Sequence, residues 1–290
     1  MKKSIIAIAV SSAALASVSA YAAEGSTVDI YGNIQYAITD TEGAGDFIDN
    51  GSTFGFKGET KVDEDLTAFF KYELEVDADE DNTAISLDQA FVGLQGNFGK
   101  VQVGSFDSIY NNAIQDSVDQ FEALAIASET LTGEGDTIAY FSPSFNGLEL
   151  QASSQVNATN GNGNGVTLVA KYSVDALTVA AGYDSLGDSD NEVVGFSVDY
   201  QVSPALSVSA KTESTTDTQD LVGVATRYNY GAGDVYASAE VVSPDSADDY
   251  NEYAAGVTYS LASNVYVYGE LGQVNSTEDT TTAVGVYYGF

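Results

Sequence analysis

Short segments in which apolar and polar residues alternate follow one another along most of the chain. In residues 27–38, Val28, Ile30 and Ile34 occupy one set of alternate positions, and Asp29 and Gln35 occupy the other. A period of two residues is typical of a β-strand with one apolar and one polar face. The same pattern returns at a regular spacing and predicts a protein built almost entirely of strands.

The alternation and the turn residues between segments predict about sixteen strands. The predicted strands are residues 27–38, 52–60, 66–76, 85–96, 100–105, 137–142, 148–156, 166–174, 177–183, 193–202, 206–213, 221–230, 235–242, 251–261, 265–274 and 281–290. Residues 39–51 are predicted to form a polar loop. Short turns alternate with longer acidic or glycine-rich loops, as in an up-and-down barrel of an outer membrane.

The charged residues support a membrane location for this barrel. In the register above, Asp, Glu, Lys and Arg are absent from the apolar face at the centre of each strand. A charge facing lipid at the bilayer midplane costs about 2–4 kcal/mol, whereas a water-filled interior accepts it. The sequence therefore predicts an all-β, transmembrane, antiparallel up-and-down barrel. A secreted acidic all-β binding or adhesion protein is the alternative.

The alternation stops once, between Phe106 and Asp136. This interval contains Asp107, Asp116, Asp119 and Glu122, followed by a helix-compatible run of small residues at 121–131. A connection of this length inside a compact domain is usually functional. We predict that residues 107–136 form a constriction loop, folded into the lumen of the barrel.

The first 22 residues have the pattern of a signal peptide. Lys2 and Lys3 precede an apolar stretch at 5–16, and the small residues Ala20 and Ala22 on either side of Tyr21 suit a cleavage site. We predict a cleaved signal peptide at 1–22 and a single barrel domain at 23–290. No later run of eighteen apolar residues suggests a transmembrane helix.

Composition narrows the possible functions. The chain has no cysteine and no histidine, which excludes disulfides, catalytic triads and ordinary zinc sites. We predict no catalytic residues, no cofactor and no metal, and hence no enzyme. An enzyme that cleaves glycosides with paired carboxylates is the alternative hypothesis. Without residues 1–22 the chain keeps seven basic and 43 acidic residues, a net charge of −36. Such a charge repels nucleic acid and attracts cations, although adaptation to a salty habitat would also explain it.

Several motifs resemble the Gram-negative general diffusion porins over essentially the whole mature chain. These motifs are VDIYG at 28–32, GFKGET at 55–60 before DLT at 65–67, AFVGL at 90–94, VGSFD at 103–107, IAYFSP at 138–143 and the terminal YGF at 288–290. The resemblance implies a sixteen-stranded outer-membrane homotrimer in contact with lipid and lipopolysaccharide. It also implies insertion by the barrel-assembly machinery, which would read the assembly signal Val284, Val286, Tyr288 and Phe290.

The resemblance also implies where the channel is narrowest. The family places acids of the long loop, here Asp107, Asp116, Asp119 and Glu122, opposite basic residues on the wall. The loop departs from the family's PEFGG tip with DQFEA at 119–123, and most of the basic wall positions are replaced. The predicted wall residues are Asn33, Thr53, Lys57, Lys71, Asp88, Lys100 and Arg227. Pairing of the inward lysines and arginine with inward acids such as Glu59, Glu73 and Glu213 is the alternative interpretation.

These observations predict a water-filled channel for passive diffusion of small hydrophilic solutes and ions. Acids in a narrow lumen with low-dielectric walls concentrate cations and repel anions, so a cation preference is expected. A substrate-selective outer-membrane channel is the alternative within the same class.

Overall fold

The computed structural model describes residues 26–79, 85–129, 131–156, 164–187 and 191–290. The predicted signal peptide lies outside these ranges. Within them, no helix is long and apolar enough to cross a membrane.

The described residues form seventeen strands and one 3₁₀ helix, at Gln115–Ser117. The strands are β1 Ser26–Thr41, β2 Ala44–Asp49, β3 Thr53–Lys61, β4 Leu66–Val76, β5 Ile85–Gly96, β6 Gly99–Ser105, β7 Thr137–Phe141, β8 Leu148–Gln155, β9 Val166–Val174, β10 Leu177–Asp184, β11 Val193–Ser203, β12 Leu206–Thr215, β13 Gln219–Asn229, β14 Asp234–Pro244, β15 Tyr250–Ala262, β16 Val265–Val274 and β17 Asp279–Gly289.

The strands close into one antiparallel barrel. β1 pairs with β17 from Asn33 opposite Gly289 to Thr41 opposite Thr281. On its other edge β1 pairs with β2 through its second half and with β3 through its first half. β2 and β3 therefore form the two parts of one interrupted strand of the wall, and the barrel counts as sixteen-stranded, as predicted. Closure of β1 on β17 joins the first and last strands, so the wall is continuous around the barrel.

The prediction of a loop at 39–51 was wrong in part, because β2 lies within it. β1 continues to Thr41, and Glu42 and Gly43 then form a two-residue turn with φ of 53° and 87°. Two consecutive positive φ angles match the twist of a hairpin, so the chain folds back although the alternation in β2 is weak. Phe47 stacks on Tyr36 with ring centroids 5.3 Å apart.

The two faces of the wall differ as the alternation predicts. Large apolar side chains on one face are strongly exposed, for example Ile34 at 48%, Val92 at 58% and Val284 at 65%. The other face carries buried polar and charged residues such as Glu213 and Glu240. In a barrel that spans a membrane, the exposed apolar face meets lipid and the polar face encloses the interior.

Candidate functional site in the barrel interior

The long connection, residues 106–136 between β6 and β7, packs against the polar face of the wall. Tyr110 and Ile114 are completely buried, and both lie over inward-facing glycines of β10 and β11. A Cβ atom at Gly195 would lie 2.1 Å from the Tyr110 hydroxyl, and one at Gly182 would lie 2.6 Å from its ring. The absence of side chains at these two positions therefore lets the connection lie close to the wall.

Polar wall side chains hold the first half of the connection. Ser197 of β11 donates a hydrogen bond to the Ala113 carbonyl at 2.6 Å, and Ser238 of β14 donates to the Val118 carbonyl at 2.7 Å. These bonds satisfy backbone carbonyls that would otherwise be buried without a partner. The connection thus runs across successive strands rather than along one of them.

The tip of the connection, residues 119–124, is held by one wall carboxylate. The Oε atoms of Glu270 in β16 accept hydrogen bonds from the backbone N–H groups of Glu122, Ala123 and Leu124, at 2.7, 3.0 and 2.9 Å. The Tyr236 hydroxyl donates to the same carboxylate at 2.6 Å. Charge-assisted bonds of this kind are about twice as strong as neutral ones, so Glu270 is the main anchor of the tip.

The tip also bridges the two ends of the barrel sequence. The Glu122 carboxylate accepts a hydrogen bond from the Tyr266 hydroxyl of β16 at 2.9 Å and one from Gln35 Nε2 of β1 at 3.5 Å. Asn50 Nδ2 donates to the Glu122 carbonyl at 2.6 Å. Asn50 lies in the interruption between β2 and β3. The backbone there leaves the regular strand pairing, and the side-chain amide of Asn50 reaches the tip.

The return half of the connection is held at two further points. Glu252 of β15 accepts a hydrogen bond from the Ala127 N–H at 2.8 Å, and Lys211 Nζ of β12 donates to the Ala127 carbonyl at 2.8 Å. Asp184 at the end of β10 accepts from the Thr132 hydroxyl at 2.5 Å. Acids of the wall therefore bind the connection through its backbone N–H and hydroxyl groups.

Lys211 belongs to a buried charge cluster behind the connection. Its ammonium lies 2.8 Å from Glu213 and 3.5 Å from Glu240, and all three side chains are completely buried. Gln115 Nε2 donates a further hydrogen bond to Glu213 at 2.9 Å. The charge of Lys211 is therefore neutralised inside the wall and adds little positive potential to the open interior.

The four predicted acids of the connection have different surroundings. Asp107 accepts a hydrogen bond from Gln89 Nε2 at 2.7 Å, and Asp116 accepts one from Asn111 Nδ2 at 2.8 Å. Asp119 accepts a long bond from the Phe121 N–H at 3.4 Å. Glu122 is the acid of the tip described above.

Enclosure by protein shifts the pKa values of three of these acids. Partial desolvation inside the barrel raises the pKa of Asp116 to about 6, and the negative charges of Asp107 and Asp119 act in the same direction. Desolvation likewise raises the pKa of Asp119 and of Glu122, while the Tyr266 hydrogen bond partly offsets the rise for Glu122. The side chain of Asp116 is exposed to solvent.

The predicted wall residues near the first strands include a hydrogen-bonded pair, an ion pair and an acid at a bulge. Asn33 Nδ2 donates to the Thr53 hydroxyl at 2.9 Å. Lys71 forms an ion pair with Glu73 at 2.7 Å, along one strand. Asp88 is the extra residue of a β-bulge, because Glu73 pairs with Gln89 and the next pair skips Asp88. A bulge redirects side chains, and this one adds an acid to the wall.

The other predicted basic residues of the wall also have partners. Lys57 Nζ lies 5.1 Å from the centroid of the Tyr31 ring, and Lys100 Nζ lies 3.7 Å from that of Phe141. The Arg227 guanidinium lies 4.6 Å from the Tyr236 ring and 3.6 Å from Asp234. Ion pairs do form, but several basic groups rest on aromatic rings, which the sequence did not suggest.

The predicted assembly signal lies along the last strand. Val284, Val286 and Tyr288 are exposed on the apolar face. Phe290 exchanges two backbone hydrogen bonds with Gly32, at 3.1 and 3.0 Å.

Sequence reasoning missed Asn50, Tyr236 and Glu270, which hold the tip, and Glu252, which binds the return half at Ala127. The available signal was the presence of glutamates at inward positions of late strands. What they bind could not be read from the alternation, because their partners are backbone groups 125 to 148 residues away.

A closed barrel with an apolar exterior and an ionised interior is a membrane-spanning β-barrel channel. The family model described as "Gram-negative porin" matches residues 6–279. The chain belongs to this family, and it is an outer-membrane porin. These findings point to a channel rather than an enzyme.

Relatives agree with this assignment. A "Monosaccharide porin" of Halomonas sp is 31% identical over 367 aligned positions that cover all of both chains, and the "Major outer membrane protein" of Halomonas elongata matches equally. "Outer membrane porin F" of Salmonella typhimurium is 30% identical over 64% of this chain and 59% of its own.

Among solved structures, a mutant of the Rh. blastica porin aligns with a TM-score of 0.76 and 19% identity, covering 91% of this chain and 100% of its own. A loop-deletion mutant of OmpT from Vibrio cholerae aligns with a TM-score of 0.75 and 17% identity, over 92% and 100% of the two chains. At these identities the likeness concerns the fold.

Proposed function

We propose that this porin passes small hydrophilic solutes and ions by passive diffusion, with a preference for cations. In this proposal the long connection narrows the channel. Asp107, Asp116, Asp119 and Glu122 set its potential together with the wall residues Asn33, Thr53, Lys57, Lys71, Asp88, Lys100 and Arg227. No energy source is required, because solutes move down their own gradients.

One observation carries the cation preference: Lys57, Lys71, Lys100, Lys211 and Arg227 each lie against an acid or an aromatic ring, and the chain has 43 acidic residues against nine basic ones. Lys71 and Lys211 are ion-paired with glutamates, while Asp116 is exposed on the connection. Carboxylates within low-dielectric walls focus a negative potential into the passage. Such a potential raises the local concentration of cations and lowers that of anions.

Reversal potentials in planar bilayers test this proposal. In a gradient of KCl, the wild-type channel should give the sign that corresponds to K⁺ selectivity. Asp116→Lys should reduce this selectivity, whereas Asp65→Lys, in the exposed turn after β3, should leave it nearly unchanged. The preference should also weaken in concentrated salt, since the Debye length is about 3 Å at 1 M. Chloride selectivity of the wild type, or equal effects of both variants, would refute the proposal.

A channel selective for sugars is the second candidate. It is favoured by the "Monosaccharide porin" that is 31% identical over the whole chain. A selective channel would show saturable block of the ion current by a monosaccharide. A general diffusion channel would show only a proportional decrease in current with added sugar.

We further propose that the mature protein spans residues 23–290 and forms a homotrimer in contact with lipid and lipopolysaccharide. Insertion by the barrel-assembly machinery would use Val284, Val286, Tyr288 and Phe290. Intact mass of the purified protein tests the cleavage site, and crosslinking in membranes tests the trimer. A mass that includes residues 1–22, or a monomer only, would contradict these points.

A further inference from the structure

Aromatic rings bind positive charges repeatedly in the interior of this barrel. Lys57 and Lys71 both lie over the Tyr31 ring, at 5.1 and 5.9 Å from its centroid. Lys100 lies over Phe141, and Arg227 lies over Tyr236. The negative face of an aromatic ring attracts cations within about 6 Å. The protein's own ammonium groups therefore show which kind of ligand these rings accept.

A pair of tyrosines beside the tip has the same chemistry without such a partner. Tyr266 and Tyr287 face each other across β16 and β17, with ring centroids 4.7 Å apart and planes 14° apart. Both side chains are half-buried. Among the residues that the structure describes, no lysine or arginine is found over either ring. The Tyr266 hydroxyl donates to the Glu122 carboxylate at 2.9 Å, so a negative charge stands at the edge of the pair.

We propose that Tyr266, Tyr287 and Glu122 form a binding site for small organic ammonium ions, above all methylated ones. Methylated ammonium groups are weakly hydrated, so they can exchange water for a ring face at little cost, and the carboxylate balances their charge. The inference rests on the proposed cation-preferring channel and adds the class of cation that is retained longest. A neutral sugar would bind the same rings by apolar contact alone, and it would gain nothing from the charge.

The first experiment compares choline with its neutral isostere, 3,3-dimethylbutan-1-ol, on the purified full-length channel in a planar bilayer. The K⁺ current is recorded at an ionic strength of about 0.1 M, where the Debye length is about 10 Å. Choline should cause saturable block, and sodium or the isostere at equal concentration should not. Equal block by choline and the isostere, equal block by choline and sodium, or saturable block by glucose of the same strength would overturn the inference.

Substitutions then test whether the ring is responsible. Tyr287→Leu should weaken choline block by roughly two- to fivefold, the range expected for one exposed cation–aromatic contact. Tyr287→Phe keeps the ring, so choline should block this variant as strongly as it blocks the wild type. Tyr72→Leu removes a tyrosine that is 47% exposed on the apolar face, and it should change nothing.

The same recordings separate this inference from the function on which it rests. The K⁺/Cl⁻ reversal potential of each variant reports the cation preference independently of choline. A K⁺-selective channel with unaltered choline block in Tyr287→Leu would refute the tyrosine site and keep the proposed function. If Tyr287→Leu does not insert, Tyr266→Leu and the isostere comparison on the wild type still decide the matter.

Discussion

Replacing Glu270 by Gln should release the tip of the long connection while preserving the shape of the side chain. The carboxylate accepts hydrogen bonds from three consecutive N–H groups and from the Tyr236 hydroxyl. An amide offers one oxygen, and its NH₂ group would face donors that need an acceptor. The substitution therefore removes bonds and introduces a clash between donors.

The expected size of the effect follows from the number of bonds. A hydrogen bond to a charged group contributes about 1.5–3 kcal/mol, so three of them set an upper limit of about 5–9 kcal/mol. The bonds are not additive, and interior water can replace part of the loss. We expect a weakening of about 3 kcal/mol, which is roughly a hundredfold rise in the population of the released tip.

Hydrogen exchange of the peptide that contains residues 119–128 measures this population directly. Glu252→Gln serves as the matched control, because among the described residues Glu252 accepts one N–H of the connection, from Ala127. Its effect should be about tenfold, for a loss of about 1–2 kcal/mol. Single-channel recordings should show increased current noise in the Glu270 variant. Exchange in Glu270→Gln that is no faster than in Glu252→Gln would refute the role of Glu270 as the main anchor.

Three further predictions concern charge and packing. Lowering the pH through about 6 should reduce the K⁺ selectivity, because Asp116, whose pKa is raised to about 6, loses its negative charge. Asp116→Asn should remove this step from reversal potentials recorded between pH 7 and 5. An unchanged step in the variant would contradict the assignment to Asp116. Lys211→Met should destabilise the barrel by about 3–5 kcal/mol, because it leaves Glu213 and Glu240 buried without their cation. The urea unfolding midpoint in detergent measures this loss. The control is Lys61→Met, at an exposed position, which should leave the midpoint unchanged. Gly195→Val should push Tyr110 off the wall, since even a Cβ there would lie 2.1 Å from its hydroxyl. The conductance should change, whereas Gly45→Ala, whose Cβ would come no closer than 3.5 Å to another residue, should leave it as in the wild type.

The barrel could be predicted from the sequence because its determinants are local. Alternation of period two reports the pleat of each strand, and the strands Leu66–Val76, Ile85–Gly96, Val166–Val174 and Val265–Val274 were predicted at their observed bounds. β2 was missed because its apolar positions are few, and its pairing follows from the turn at Glu42 and Gly43 rather than from its own pattern.

The interior could be predicted only in part, because its contacts join distant segments. The acids at 107–122 stand out within an interval without alternation, so their segment could be recognised. The bonds from Glu270 to the tip span about half the chain, and no local pattern encodes them. The stretch at 121–131 was compatible with a helix, yet its described residues are not helical. Wall carboxylates capture their N–H groups in place of helical carbonyls.

The Glu122 carboxylate contacts Tyr266 of β16 and Gln35 of β1, which lie on opposite sides of the junction where the first and last strands meet. The tip therefore lies over the β1–β17 pairing that closes the barrel, and its full set of partners is assembled only once these strands have paired. During biogenesis, before β17 pairs with β1, Tyr266 and Gln35 are not yet held on either side of the tip. The aperture should therefore reach its final width only after the circle of strands is complete.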